Sequence, residues 1–229
     1  ESPFMLNYYA KAGIPTEQML ETGFISLDNL SHSFKEREKT KREMSQRFGL
    51  SLEKPWLLCA VPPSQWPRAG IGFSSYDELL VSLIGFLKTF SDIEVILKFH
   101  PRIRDQEAEN LCQSFGVPYI GLGTSHLIGV ADIYVASVSA TMRWALACSI
   151  PTLNYDLYAF RYDDFNQVKG LYTMETFNEF KRVFSDIHNQ VVSSFTKNEI
   201  KIGQVEFGQL DGKCGERILS LFRRLTERN

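Results

Sequence analysis

Two short segments hold the residues whose types and spacing could do chemistry. The first is Lys98-Phe99-His100-Pro101-Arg102, in which a histidine and two cations follow an apolar run. Because the proline fixes the turn after the histidine, the imidazole can face the space beyond the end of a strand. It can donate a hydrogen bond to a phosphate oxygen, and Lys98 and Arg102 can add positive charge. The alternative is an imidazole that satisfies a backbone carbonyl and binds no ligand.

The second segment is Ala136-Ser137-Val138-Ser139-Ala140-Thr141, which follows another apolar run and is predicted to open a helix. The small hydroxyl residues Ser137, Ser139 and Thr141 let a ligand approach the backbone. A helix start also offers unpaired N–H groups to a phosphate. Plain capping of the helix by Ser137 or Ser139 is the alternative, and it needs no ligand. The two segments together suit a phosphate ester better than either does alone.

Two further loops add candidate ligand contacts. The loop after the first predicted strand contributes Gln65, Trp66 and Arg68, which could touch phosphate, sugar or base. Thr124 and Ser125 follow the third predicted strand and could meet the edge of a base. In an open parallel sheet, ligands bind beyond the carboxyl ends of the strands, where such loops converge. We therefore predict one site for a phosphate ester built from these four loops.

Several common motifs of nucleotide and metal sites are absent. The sequence has no GxGxxG after the first predicted strand, no GxxxxGK[ST], no HExxH and no GxSxG, so the dinucleotide and P-loop interpretations lose their support. For Asp163-Asp164, which stands among aromatic residues, we expect a structural or acceptor-side role rather than metal binding. The four cysteines are widely spaced and form no CxxC pair, which argues against a metal or disulfide framework. We expect no metal and no cofactor, only a nucleotide-sugar donor as substrate.

The elements that must position these residues alternate regularly along the chain. Apolar runs predict strands at 56–61, 94–99, 118–121, 132–136 and 151–155. Helical patterns between them predict helices near 75–90, 106–115, 124–130 and 139–149, the first of which is capped by Ser75 with Glu78 three residues later. Strands alternating with helices imply right-handed crossovers and a parallel sheet. The predicted fold class is therefore α/β, a Rossmann-like parallel sheet with helices on both faces.

The flanking parts of the chain have a different character. Residues 1–50 are too polar for a core of their own, and we predict an interdomain connector and a helical appendage there. Residues 51–229 are predicted to form the nucleotide-binding α/β domain, with C-terminal helices near 174–190 and 212–228. A further helix is predicted within 33–48, where Lys, Arg and Glu alternate as on a solvated face.

The overall composition excludes some classes of protein. A formal net charge of -2 gives no reason to expect long-range attraction to nucleic acid. No apolar run approaches the ~20 residues that span a bilayer, and the N-terminus is unlike a signal peptide. We expect a cytoplasmic location, with a peripheral membrane contact left open. The chain lacks an initiator methionine, and we expect it to be part of a longer protein.

Several of these segments resemble the C-terminal domain of GT-B fold glycosyltransferases. Gly13-Ile14-Pro15, Glu21-Thr22-Gly23 and Leu27-Asp28 look like the interdomain connector of that superfamily. The segment from Ala131-Asp132 to Pro151 looks like its signature of an aspartate, a serine, a glutamate and a final proline. Here Arg143 or Trp144 stands near where many members carry the glutamate, which puts recognition of ribose by a carboxylate in doubt.

Lys98-Phe99-His100-Pro101 resembles the HP motif of bacterial enzymes that use cytidine-nucleotide donors, such as sialyltransferases, Kdo transferases and CDP-glycerol polymerases. Ser137 and Ser139 would match the serine motif of those enzymes. The resemblance implies that His100 and Ser139 hold the donor phosphate and that the leaving CMP is neutralised without metal. It also implies a general base in an N-terminal GT-B domain, which we expect as the missing partner of this chain, and a role in bacterial surface polysaccharide synthesis.

Two alternatives remain open from the sequence. One is a UDP-sugar epimerase or hydrolase of the same fold, whose nucleotide pocket uses similar strand-end loops. The other is a non-catalytic domain that kept the fold and lost its ligand.

Overall fold

The computed structural model describes residues 2–65, 67–162, 168–195 and 205–227. Within these ranges one parallel sheet has the strand order β2-β1-β3-β4-β5. The strands are β1 (Trp56–Ala60), β2 (Glu94–Lys98), β3 (Ile133–Ala136), β4 (Thr152–Tyr155) and β5 (Leu171–Met174). The helices are α1 (Pro3–Lys11), α2 (Ser26–Lys35), α3 (Arg37–Phe48), α4 (Tyr76–Leu87), α5 (Asp105–Ser114), α6 (Thr124–Val130), α7 (Met142–Ala147), α8 (Phe177–Phe195) and α9 (Cys214–Thr226). Short 3-10 turns lie at Thr16–Gln18 and Val205–Phe207.

Both faces of the sheet are buried around the central strands β1 and β3. Leu57 and Cys59 of β1 belong to the core that includes buried residues of α4, α5 and α8, whereas Trp56 and Leu58 belong to the core that includes α2, α3, α6 and α7. Successive side chains of a strand point to opposite faces, so a strand covered on both sides must be apolar throughout, as β1 is. The predicted fold class, a Rossmann-like parallel sheet with helices on both faces, is confirmed.

Two elements differ from the sequence prediction. The segment 118–121 forms no strand with the described residues, and its first residue, Pro118, has no N–H to donate to a ladder. Ile120 nevertheless anchors the segment in the core, with 1% of its surface exposed. The edge strand β5 was not predicted, because Tyr172 and Thr173 are exposed and no buried apolar run marks it.

The start of α8 has a signal in the sequence that the helix prediction of 174–190 missed. Thr176 and Glu179 form a reciprocal capping box, in which the backbone N–H of Glu179 donates to Thr176 Oγ1 and that of Thr176 donates to Glu179 Oε2, both at 3.3 Å. In α4 the predicted cap is confirmed, because the Glu78 N–H donates to Ser75 Oγ at 3.1 Å. The Glu78 carboxylate bonds Ser74 instead of Ser75.

The first fifty residues are largely helical and join the core of the sheet. Leu27, Leu30 and Met44 are buried in the same cluster as the strands. The helix predicted within 33–48 is divided between the end of α2 and the whole of α3, and Glu36 lies between these two helices. Whether residue 50 is a domain boundary remains a prediction.

Asp28, which the sequence places in the connector-like segment, ties α2 to the C-terminal helix. Its carboxylate accepts hydrogen bonds from the backbone N–H groups of Cys214 and Gly215 at the start of α9, each at 2.9 Å. Burial acts to raise the pKa of Asp28, but these two hydrogen bonds, the Cys214 side chain and the charge of Arg217 together outweigh it and the pKa is lowered. The charged carboxylate therefore caps α9 at neutral pH.

Close packing between α2 and α6 gives a first testable prediction. A Cβ added to Gly129 would lie 2.8 Å from Ser33 Cβ and 2.9 Å from the Phe34 backbone nitrogen, too close for either to accommodate without movement. We expect Gly129→Ala to lower the free energy of unfolding by about 1–3 kcal/mol, the usual effect of overpacking. Gly85→Ala is the matched control, because Gly85 is an exposed helical glycine with open space around it. That variant should raise stability by about 0.5–1 kcal/mol, and equal urea midpoints for the two variants would contradict the packing argument.

Candidate functional site

The strand order creates one crevice at the carboxyl ends of the strands. From β1 the chain moves outward to β2 and then returns to place β3 on the other side of β1. The loops after β1 and β3 therefore separate at this point, which is where open α/β sheets bind ligands. A cavity of ≈ 640 Å³ lies there. Its lining includes the predicted site residues Gln65, Lys98, His100, Thr124, Ser125, Ser137, Ser139 and Thr141, while Arg68 and Arg102 lie outside it.

The imidazole of His100 is oriented by the turn that follows it. The backbone N–H of Arg102 donates to His100 Nδ1 at 3.2 Å, and that of Ile103 donates to the His100 carbonyl at 2.9 Å. With Nδ1 acting as acceptor, the proton of a neutral ring is on Nε2. In the described part of the chain Nε2 has no hydrogen-bond partner, so it is free to donate to a ligand. Arg102 thus contributes its backbone to the site, whereas its exposed side chain does not line the cavity.

The charges in the cavity favour an anion. Lys98 at the end of β2 lines the same wall as His100. Among the described residues of the lining there is no aspartate or glutamate, so no carboxylate competes with an anionic ligand for these two groups. Hydrogen bonds from charged donors to phosphate are about twice as strong as neutral ones. The electrostatics therefore suit a phosphate group.

The serine loop, residues 137–141, differs from its prediction. Helix α7 begins only at Met142, after Thr141, and no side chain caps it, so the predicted helix start at Ser139 and the capping by Ser137 or Ser139 are wrong. Ser139 Oγ instead lies 2.7 Å from Thr141 Oγ1 and accepts from the Thr141 N–H at 3.3 Å, which closes a turn before the helix. The Tyr134 hydroxyl contacts Thr141 Oγ1 from the strand below, and burial raises the pKa of Tyr134.

A strained residue of the serine loop, Val138, is stabilised by Asn154, which was not among the predicted site residues. Val138 has a φ of 44°, a left-handed conformation that is costly for a β-branched residue. Its N–H donates to Asn154 Oδ1 at 2.9 Å, and Asn154 is 4% exposed. Next to it, Ser137 lines the cavity, and its buried Oγ has no hydrogen-bond partner within the part of the chain that the structure describes. The available signal was an asparagine between Leu153 and Tyr155 in a predicted buried strand, because buried polar side chains need a partner.

Substitution of Asn154 gives a second prediction. Asn154→Ala should lower the free energy of unfolding by about 1–3 kcal/mol, because it leaves the Val138 N–H unpaired and the strained turn unsupported. Asn154→Asp keeps an acceptor oxygen and should lose less. Glycine tolerates positive φ, so adding Val138→Gly to the Asn154→Ala variant should recover part of the lost free energy of unfolding. Thermal or urea unfolding of five proteins tests this: the wild type, Asn154→Ala, Asn154→Asp, Val138→Gly and the double variant. Additive effects of Val138→Gly and Asn154→Ala would contradict the coupling.

Aromatic residues that follow β4 also line the cavity. Tyr158, Phe160 and Tyr162, here called the aromatic wall, follow β4 and all line it. The Tyr158 hydroxyl donates to the Pro63 carbonyl at 3.0 Å and so joins this wall to the loop after β1.

Trp144, near the position of the expected family glutamate, also lines the cavity. Its ring stacks on Phe24 with the centroids 6.2 Å apart. It brings no carboxylate that could bind a ribose. Two other sequence predictions, for Trp66 and for Asp163-Asp164, fall outside the described residues.

Neither a metal cluster nor a membrane-spanning helix is found in the described ranges. No three His, Cys, Asp or Glu side chains converge there to hold an ion. None of the helices in those ranges combines the length and apolar character required to cross a bilayer.

Comparison with known proteins gives matches only at the level of structure. No protein-family model and no curated protein sequence matches the chain. The wall teichoic acid polymerase TagF, in its H548A variant, is similar over 99% of this chain and 57% of its own, with a TM-score of 0.60 and 16% identity. Its H444N variant soaked with CDPG gives a TM-score of 0.55 and 17% identity, over 94% of this chain and 53% of that one. A UDP-GlcNAc 2-epimerase from Methanocaldococcus jannaschii, in complex with UDP-GlcNAc and UDP, gives a TM-score of 0.56 and 13% identity. The similarity covers 95% of this chain and 58% of the epimerase chain.

The likeness shows the fold. The chain has a GT-B-like, Rossmann-type α/β architecture, as the sequence resemblance implied. It spans little more than half the length of these structures, so an activity of the whole protein is a matter for proposal. At 13–17% identity the comparison does not choose between a polymerase and an epimerase.

Proposed function

We propose that this chain binds the nucleotide of an activated donor and forms the donor half of a glycosyltransferase-like enzyme. The observation that supports this proposal is the set of residues that line the cavity at the carboxyl ends of the strands. His100, Lys98 and Ser137 all line it, the Ser137 hydroxyl has no hydrogen-bond partner among the described residues, and the described lining has no carboxylate. These groups complement the phosphate of a nucleotide, and the cavity lies where this class of sheet binds ligands.

The same groups would act on the departing phosphate in a transfer reaction. Negative charge accumulates on the nucleotide as its bond to the transferred group breaks. Donors that are already oriented toward that charge lower the barrier without reorganising. His100 and Lys98 would supply them, and the hydroxyls of Ser137 and Ser139 would bond the remaining phosphate oxygens.

A second domain would supply the acceptor side of the reaction. An acceptor hydroxyl must lose a proton to a general base, and the described lining offers no carboxylate for that role. The chain covers only 57% of the first TagF structure and 58% of the epimerase. These two observations support a partner domain that carries the base.

For the donor we propose a cytidine nucleotide, on the resemblance of Lys98–Pro101 to the HP motif. The epimerase likeness supports a uridine nucleotide as the second candidate. Calorimetric titration of CMP, CDP, UMP and UDP into the chain separates the two. Tighter binding of CMP and CDP supports the cytidine donor, and tighter binding of UMP and UDP supports the epimerase-like alternative. An absence of heat with all four at millimolar concentration would leave only the non-catalytic domain.

A further inference from the structure

The aromatic wall of the cavity is a built feature, held in place by a buried carboxylate. Asp156, 2% exposed, accepts hydrogen bonds from the backbone N–H groups of Phe160 at 3.0 Å and Arg161 at 2.7 Å. Ala159 and Arg161, on either side of Phe160, have φ angles of 52° and 53°. Such strain in residues other than glycine persists only where the surroundings hold it, and it concentrates at functional sites.

A second contact fixes the outer side of this turn. The Arg161 guanidinium forms two hydrogen bonds to the Glu175 carboxylate, each at 2.8 Å. Phe160 and Tyr162 alternate with Arg161, and their rings stack with centroids 5.8 Å apart and an angle of 8° between the planes. The two rings are 36% and 57% exposed and line the cavity. The turn thus holds two parallel aromatic faces at the rim.

The residues that line the cavity differ in their access to solvent. Ser125 is only 9% exposed, whereas Tyr162 is more than half exposed. The transferred group of a donor must be reachable by an acceptor. It therefore belongs beside the exposed aromatic residues that follow β4 rather than beside the buried part of the lining.

We propose that Phe160 and Tyr162 form a stacking platform for the transferred group of the donor, and that this group is a sugar ring with an apolar face. This inference rests on the proposed function and specifies its substrate class. A flat aromatic surface complements the C–H face of a pyranose, whereas a short linear polyol offers no such face to stack. Ordered aromatic contacts add about 0.5–1.5 kcal/mol beyond simple burial, equivalent to a twofold to tenfold change in affinity.

The test compares a nucleotide with its sugar conjugate. CMP and CMP-N-acetylneuraminic acid, as the probe for a ring-bearing donor, are titrated into the wild type, the double variant Phe160→Ala with Tyr162→Ala, and the conservative variant Tyr162→Phe. We expect the double variant to lose about fivefold or more in affinity for the conjugate and less than twofold for CMP. Tyr162→Phe keeps the ring and should bind both as the wild type does.

Each other result would overturn the platform. Equal losses for CMP and the conjugate would place the nucleobase on the rings instead of the sugar. Unchanged affinity for both in the double variant would assign the exposed rings to a contact with another part of the protein. No binding of either by the wild type would instead contradict the proposed function itself.

Discussion

Replacement of Asp132 by alanine is expected to lower the free energy of unfolding by about 3–5 kcal/mol, the usual loss when one partner of a buried ion pair is removed. Asp132 contacts two cations, with Oδ1 2.6 Å from Arg37 Nη2 and Oδ2 2.7 Å from Lys41 Nζ. Its Oδ2 also accepts from the Trp56 N–H at 2.9 Å. Burial lowers the pKa of Lys41 and the charge of Asp132 opposes that shift. Without the carboxylate, Lys41 would be a buried cation that has lost the partner of its ion pair.

Two further variants keep this prediction measurable. A loss of that size is a large part of the free energy of unfolding of an ordinary domain, so a milder variant is also compared by urea unfolding. Asp132→Asn keeps both the side-chain volume and an acceptor for the Trp56 N–H. We expect its loss to be smaller than that of alanine. Asp211→Ala removes a more exposed Asp–Arg pair, with Arg217, and should cost less than either because water can solvate the remaining arginine. An Asp132→Ala variant within about 1 kcal/mol of the wild type would contradict the assigned role.

Replacement of His100 by alanine is expected to weaken the binding of CMP or CDP at least about tenfold, with the fold unchanged. A hydrogen bond to a charged group contributes about 1.5–3 kcal/mol, which corresponds to about a tenfold change or more. Ser139→Ala should lose less, because Ser139 Oγ already bonds Thr141. Ser137→Ala should lose more than Ser139→Ala, because Ser137 Oγ has no other partner in the described structure.

The matched control for His100 is another histidine. His32 is exposed on α2 and lies outside the cavity lining, so His32→Ala should leave nucleotide affinity within twofold of the wild type. Circular dichroism of each variant checks the fold. Equal affinities of the His100 and His32 variants for CMP would refute the phosphate role of His100.

The sequence predicted the sheet well because its signals are local. A strand covered on both faces is rich in apolar residues, so β1 to β3 stand out as apolar runs, and Ser75 with Glu78 marks a helix start. The strand prediction failed where strand formation depends on pairing with a neighbouring strand, which the segment's own residues do not reveal. Segment 118–121 looks like a strand but has no paired neighbour. The edge strand β5 is paired but half exposed, and its composition resembles that of a loop.

The site was predictable in its residues and less so in its geometry. The rule that loops converge at the carboxyl ends of parallel strands brought His100, Ser137, Ser139 and Thr124 to one cavity. It could not show that the serine loop precedes a short helix instead of opening one. Nor could it show that Asn154 holds the strained Val138, since that contact joins positions sixteen residues apart.

The aromatic wall lay beyond the reach of sequence reasoning for a similar reason. Phe160 and Tyr162 stood in a mixed polar and aromatic stretch with no period. Their orientation depends on the buried Asp156 and on two left-handed residues, which no composition or spacing reveals.

The central claim, that this cavity binds the phosphate of a nucleotide through His100, is tested most directly by a two-by-two titration. CMP and cytidine differ by the phosphate, and the wild type and His100→Ala differ by the imidazole. If the imidazole of His100 contacts the phosphate of CMP, His100→Ala should weaken CMP binding at least about tenfold and leave cytidine binding within twofold. Equal losses for CMP and cytidine, or no loss for CMP, would contradict the claim.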